Sequence, residues 1–296
     1  MAALNPTQSP QAAAFAENRG RLWSIAYRML GSRADADDAV QEAYLRWHQI
    51  RLEDIRSPQA WLVTTTTRLC IDKLKQLRAE RERYTGPWLP EPLVDESPPA
   101  DRATELASEL SVALLAVLER LAPEERAAFL LREMFDSGYD DIARILGKSE
   151  AACRQIVSRA AKRVRAERPR VEVPEEAKRR VLDQFMRAIE AQDECAILRL
   201  LAPDSAWTSD GGGKVNAARR VLQGAHKVAK FAANIYRKAI QDIEFRPIIV
   251  NGEPGRATFY KGQLYSVMSI LTDGQRVLDV FVVMNPEKLK FVRLSN

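Results

Sequence analysis

Apolar positions near the start of the chain recur every three or four residues. Phe15, Leu22, Ile25, Ala26 and Met29 form one stripe, the mark of an amphipathic helix. Gly31 closes it. Ser32 with Asp35 resembles a capping box, with Asp in the usual Glu place, and predicts a second helix over 34–49 whose stripe is Val40, Tyr44 and Trp47. A polar loop over 51–59 precedes a third helix over 58–84 carrying Leu62, Leu69, Ile71, Leu74 and Leu77. The run Thr64 to Thr67 disfavours a helix, because β-branched side chains lose rotamer freedom there. The helix is expected to be held by packing.

Residues 103–167 repeat the helical pattern, with Leu110, Leu114, Leu115, Leu118 and Leu121 on one stripe. Pro123 suits the first turn of a helix over 124–134. A short helix over 139–146, a break at Gly147-Lys148-Ser149 and a last helix from Glu150 make a helix-turn-helix pattern. Beyond residue 174 the period changes. Helices are expected over 175–201, then strands over 245–250, 257–260, 263–271, 277–284 and 290–294, with turns at Asn251-Gly252, Asp273-Gly274 and Asn285-Pro286. Helices followed by an antiparallel meander make an α+β domain. Proline-rich breaks at 86–99 and 169–174 separate the segments, because proline removes donors and restricts its predecessor to extended conformations.

Charge sharpens the picture. The 296 residues carry a net charge of +5, a weak pointer to a polyanion partner, but its distribution is uneven. Lys148, Arg154, Arg159, Lys162, Arg163, Arg165, Arg168 and Arg170 face only Glu150 and Glu167 across the last helix of the helix-turn-helix. Ser149, Glu150, Arg154, Gln155 and Ser158 stand near its start, where a recognition helix meets base edges. A second basic helix carries Arg68, Lys73, Lys75, Arg78, Arg81 and Arg83, which by itself reads as a solvated face. Asp35, Asp37, Asp38 and Glu42 make the preceding helix acidic at its N-terminal half, which suits the helix dipole or a basic partner. Three scattered cysteines read as buried thiols. With two histidines, neither a zinc site nor a histidine-based triad is readily built, so no metal or cofactor is expected. No run of about 18 apolar residues and no basic-then-apolar leader is seen, so a cytoplasmic protein without a membrane contact is expected.

The stretch Asp35-Ala36-Asp37-Asp38-Ala39-Val40-Gln41-Glu42 closely resembles the polymerase-binding helix of extracytoplasmic-function sigma factors. Residues 61–83 resemble the helix that meets the promoter −10 element. Leu121-Ala122-Pro123-Glu124-Glu125-Arg126 and the helix-turn-helix resemble the −35-binding domain. The resemblance implies a multidomain chain: two all-α sigma domains at 10–85 and 105–168, a linker at 86–104, and an α+β domain of the NTF2-like cone type at 175–296. It implies that Asp35, Asp38, Gln41 and Glu42 meet the β′ clamp helices of core RNA polymerase, with the β flap a further contact. Arg56 in the 51–59 loop, Trp61, Thr64, Thr65, Arg68 and Lys73 would lie on the melted −10 strand, where a flipped base costs a few kcal/mol to extrude. Lys148, Ser149, Glu150, Arg154, Gln155, Ser158, Arg159 and Lys162 would read the −35 duplex.

Three further signatures resemble a subgroup with a fused SnoaL-like domain. They are Trp88-Leu89-Pro90-Glu91-Pro92, Asp210-Gly211-Gly212-Gly213-Lys214, and Asn285-Pro286-Glu287-Lys288-Leu289, the last with Glu287 where the family more often has Asp. The glycine run is not a P-loop, which needs a glycine at 208 and Ser or Thr at 215 where Thr208 and Val215 stand. By itself it reads as a flexible turn, and the resemblance makes it a contact point for the linker. A tryptophan in a proline-rich connector is exposed unless it docks. The resemblance thus implies a sigma factor, monomeric when free, whose third domain packs on the sigma domains and linker and holds them closed. A small-molecule ligand of the third domain is compatible with this. The alternative is a DNA-binding sensor or small-molecule enzyme using Asp204, Asp210, Asp279 or Tyr265 as pocket acids.

Overall fold

Gly31 ends the first helix in the left-handed region at φ 69°. Two residues later the next helix begins, with Ser32 Oγ accepting the Asp35 N–H at 3.3 Å. The computed structural model describes residues 10–95, 111–166, 173–235, 237 and 240–294. The element order is α1 (Pro10–Leu30), α2 (Arg33–His48), α3 (Pro58–Glu82), β1 (Val94–Asp95), α4 (Val112–Leu118), α5 (Pro123–Glu133), α6 (Tyr139–Leu146), α7 (Glu150–Ala166), α8 (Glu175–Glu190) and α9 (Glu194–Leu200). Then follow β2 (Leu201–Asp210), β3 (Leu222–Gln223), α10 (Ala225–Asn234), β4 (Ile243–Val250), β5 (Glu253–Tyr260), β6 (Gln263–Thr272), β7 (Val277–Val283) and α11 (Pro286–Leu289). Spatially the chain divides into two units. Of the described residues, one unit contains 10–82 and 117–166, and the other contains 83–95, 111–116 and those from 173 onward.

In the helical unit, α1 buries Leu22, Ile25, Met29 and Leu30, and α2 buries Val40 and Trp47. The threonine run of α3 is helical. Thr66 and Thr67 are fully buried, and the Thr64 hydroxyl donates to the Ala60 carbonyl at 2.7 Å. Tertiary packing thus overrides propensity. Pro123 opens α5, and the Glu125 carboxylate accepts the Ala122 N–H at 3.2 Å. Gly147, at φ 64°, terminates α6 and makes the sharp turn into α7.

In the second unit a seven-stranded sheet has the order β1-β4-β5-β6-β7-β2-β3. Among the described strands only β2 and β7 pair in parallel. Helices α8 and α10 bury Val181, Phe185, Ile189, Val228 and Ala232 in a core with Trp207, Met268, Val280 and Val282. The meander agrees with the expected strands within a few residues, apart from 290–294. Asn285 accepts the Glu287 N–H at 3.0 Å, starting α11, and the chain continues without a strand. Strand β2, unexpected from sequence, contains Pro203 and Asp204, both exposed at its irregular start. Cys70 and Cys153 are buried as expected, but Cys195 near the start of α9 is exposed.

Candidate nucleic-acid interface and linker clamp

Tyr84, Thr85 and the proline-rich connector from 86 to 95 are bound into the α+β unit, and Asp210 organises the attachment. Its carboxylate, at the end of β2, is 0% exposed. Oδ2 accepts the Leu89 N–H at 2.8 Å and the Lys288 ammonium at 2.7 Å, and Oδ1 accepts the Tyr84 hydroxyl at 2.6 Å. The Gly212 N–H also reaches Oδ1, at 3.1 Å. A buried carboxylate needs this density of donors, since an unpaired charge away from water is costly. Asn285 Nδ2 donates to the Tyr84 oxygen at 2.8 Å, and the Met284 and Asn285 N–H groups both donate to the Asp210 carbonyl, at 2.7 and 2.9 Å. Burial, then the hydrogen bond to Asp210, pushes the Tyr84 phenol well above its ordinary range.

The three signatures therefore meet in one place. Lys288 Nζ lies 4.0 Å from the Trp88 ring centroid, a cation–π contact, and also donates to the Leu89 carbonyl. Leu89 inserts among Ile248, Val250, Phe259, Val267 and Leu289. Pro90, Glu91 and Pro92 are buried. Beyond them Leu93 exchanges backbone and side-chain hydrogen bonds with Asn251, at 2.8 and 3.1 Å, and β1 continues the sheet beside β4. Lys214 pairs with Glu287, whose carboxyl is held below its usual range by that lysine. The glycines are needed for close approach. A Cβ on Gly212 would sit 2.4 Å from Asn285 Nδ2, one on Gly211 2.7 Å from Ala217 Cβ, and one on Gly213 3.0 Å from Thr85 Cβ.

The helical unit carries the other candidate residues. Asp38 and Gln41 are exposed on α2, Glu42 is half-buried beside Arg46 at 2.8 Å, and Asp35 pairs with Lys73 at 3.1 Å. Arg56 is exposed; Trp61 is half-buried with its ring 5.4 Å from that of Trp47, and Thr64 and Thr65 are half-buried. Lys148, Ser149, Glu150, Arg154, Gln155, Ser158, Arg159 and Lys162 form an exposed set at the turn and along α7. Arg154 pairs with Glu150 at 2.8 Å and lies 4.9 Å over the Tyr139 ring, and Lys148 pairs with Glu124 at 3.1 Å.

Several of these groups face other protein elements. Arg68 Nε and Nη2 donate to the Ile145 and Arg144 carbonyls, at 2.9 and 2.7 Å. The guanidinium thereby caps the C-terminus of α6, where orphan carbonyls and the helix dipole favour a cation. Thr64 shares a cleft with Phe135 to Gly138. The contact extends through residues that sequence reasoning missed. Arg126, 1% exposed, donates from Nε to the Arg28 carbonyl at 3.0 Å. Glu119 accepts from both Arg126 and Arg81, joining α3 to α5. Arg28 lies 5.1 Å from the Phe135 ring centroid. Hydropathy alone reads these arginines as surface residues.

Of the candidate pocket acids, Asp210 is engaged in the clamp, Asp204 is exposed and Asp279 is half-buried in β7. Tyr265 lines a cavity in the α+β unit. Among the described residues no cluster of His, Cys, Asp and Glu could hold a metal ion, and no helix is long and apolar enough to cross a membrane.

Comparison with known proteins agrees with this architecture. Residues 14–80 match the model of Sigma-70 region 2, and residues 111–164 match that of Sigma-70, region 4. The chain is 36% identical over 282 residues to the ECF RNA polymerase sigma factor SigJ of Mycobacterium tuberculosis, covering 91% of this chain and 90% of that protein. It is 31% identical over 288 residues to a probable ECF sigma factor, SigI, of the same species, covering 96% of each. The crystal structure of M. tuberculosis SigJ superposes with a TM-score of 0.78 at 34% identity, over 96% of this chain and 99% of the other. Two helical sigma regions followed by a mixed-sheet domain, with this extent of shared sequence, make the chain a member of the extracytoplasmic-function RNA polymerase sigma factors.

Proposed function

We propose that this sigma factor is controlled in cis: its α+β domain grips the linker between the two sigma regions and so keeps the promoter readers together. The sigma factor binds core RNA polymerase and promoter DNA and is not an enzyme. Asp35, Asp38, Gln41 and Glu42 dock on the β′ clamp helices, and the second sigma region meets the β flap. Arg56, Trp61, Thr64, Thr65, Arg68 and Lys73 take the −10 strand, and the set from Lys148 to Lys162 takes the −35 duplex. The free factor is a monomer and acts in the cytoplasm beside the polymerase.

The observation that carries the cis reading is the fully buried Asp210 carboxylate on the Leu89 amide and the Tyr84 hydroxyl. Duplex DNA rises about 3.4 Å per base pair, so readers of the two promoter elements must part by tens of ångströms. In the helical unit Arg68 is spent on the carbonyls of α6. Both DNA readers cannot engage until that contact opens, and opening it requires free linker. Polymerase, by binding the open form better, shifts the population.

Run-off transcription with core polymerase tests this, comparing the full chain with Asp210→Asn. Initiation that depends on the chain, and is several-fold stronger with Asp210→Asn, is expected. Equal initiation by the two chains contradicts cis control. Silence from both on a panel of promoter fragments contradicts the promoter assignment.

A further inference from the structure

The α+β unit contains a cavity of about 410 Å³ that the linker clamp leaves unused. This volume suits a small organic ligand. Phe231 of α10, Ile235 just after it, Ile243 of β4 and Met284 after β7 supply apolar walls. Tyr260 and Tyr265, with ring centroids 6.2 Å apart, make an aromatic side. Ser209 and Asn216 add neutral hydrogen-bonding groups. None of its described lining residues is acidic, basic or a histidine. Among these described residues a charged ligand would find no partner, and a catalytic proton transfer no ordinary base.

The cavity wall and the clamp share backbone at two points and pack together at a third. Ser209 lines the cavity and Asp210 holds the linker; Met284 lines the cavity and Asn285 bonds Tyr84. Ala217, also in the wall, leaves only the space of a glycine at Gly211. The Met284 and Asn285 amides bind the Asp210 carbonyl, so a displacement of Met284 is passed directly to the clamp.

We propose that this cavity is a regulatory site for a neutral, flat, largely apolar small molecule with a hydrogen-bonding group at its edge, and that occupancy resets the grip on the linker. The proposal rests on the cis-control reading and adds the class of signal. Energetically a ligand shifts the clamp only by its differential affinity for the held and released forms.

The neutral aromatic probe N-phenyl-1-naphthylamine tests it on the full chain. Saturable one-to-one fluorescence enhancement is expected. Ala218→Trp, at the half-buried edge, and Met284→Trp, in the wall, should each weaken it at least tenfold while the thermal transition is retained. Ala218→Trp alone decides if Met284→Trp fails to fold. Probe binding should also change amide exchange at Leu89 and Leu93 at least threefold in the parent and not in Ala218→Trp. Absence of saturable binding, binding indifferent to Ala218→Trp, or binding without a change at Leu89 and Leu93 each overturns the proposal. Failure of cis control registers separately, as unchanged transcription by Asp210→Asn without any probe.

Discussion

Asp210 and Leu89 lie 121 positions apart, yet the carboxylate of one accepts the backbone N–H of the other at 2.8 Å with no exposure to water. Lys288, whose side chain is 13% exposed, completes the charge balance. The pair converts a proline-rich connector into part of a folded domain.

Asp210→Asn removes the charge opposite Lys288 and weakens the acceptor for Leu89 and Tyr84. Breaking a buried pair by neutralising one partner costs about 3 kcal/mol or more. The amides of Leu89 and Leu93 should exchange far faster, and the α+β domain should melt earlier, by hydrogen-exchange mass spectrometry and calorimetry. Unchanged exchange at Leu89 would remove Asp210 from its place in the account.

Gly212 and Gly262 both have positive φ, 59° and 76°, but only the first is crowded: nothing lies within 4 Å of a Cβ on Gly262. Gly262→Ala should therefore cost about 1 kcal/mol, the left-handed penalty alone. Gly212→Ala adds the collision with Asn285 and should cost clearly more in denaturant unfolding. Equal costs would mean that Asn285 gives way freely.

Tyr84 and Tyr265 both have phenols pushed up from the ordinary value, first by burial. For Tyr84 the bond to Asp210 adds to the shift, and for Tyr265 the neighbouring Tyr260 does. A raised folded value stabilises the fold fully below about pH 10, the unfolded value, and this contribution is lost as pH rises toward the folded values. Ultraviolet titration should show late-titrating tyrosines, one of which is lost in Tyr84→Phe. Ionisation of all tyrosines near pH 10 in the folded chain would contradict the buried bond.

Glu119 is shared by Arg81 and Arg126, and burial lowers the Arg81 value against the pull of Glu119. Glu119→Gln leaves a guanidinium at Arg126, 1% exposed, short of its counter-charge. The helical unit should lose about 2–3 kcal/mol in urea unfolding, a fraction of the loss from a fully buried pair because Arg81 is less enclosed. No loss would show that the two arginines are satisfied by carbonyls alone.

Helices α1 to α9 and the meander were legible because their apolar periods of 3.6 and 2 are strong, whereas α10, at Ala225–Asn234, lay in a stretch for which no helix was expected. Strand β2 was not, since Pro203 and Asp204 are poor strand formers and its hydrophobic partners, β7 and α10, come much later in the chain. Lys290 to Leu294 alternates like a strand, but Asn285 and Pro286 start a helical turn that leads the chain past the sheet. The three subgroup signatures marked the residues of the clamp. Their assembly was not legible from spacing, because the Lys288–Asp210 bond spans 78 positions and the Tyr84–Asn285 bond 201. Arg126 was hidden for a related reason: its burial is made by Arg28 and Glu119 on other elements.

The most direct test is the separation of the two sigma regions in the free protein. Donor and acceptor dyes would be placed at Leu45→Cys in α2 and Glu133→Cys in α5, both exposed positions, with the exposed Cys195 replaced by serine. Energy transfer should be high in the parent and fall in Asp210→Asn, as released linker lets the regions part. Equal transfer in both chains would contradict the claim that the grip on the linker keeps the promoter readers together.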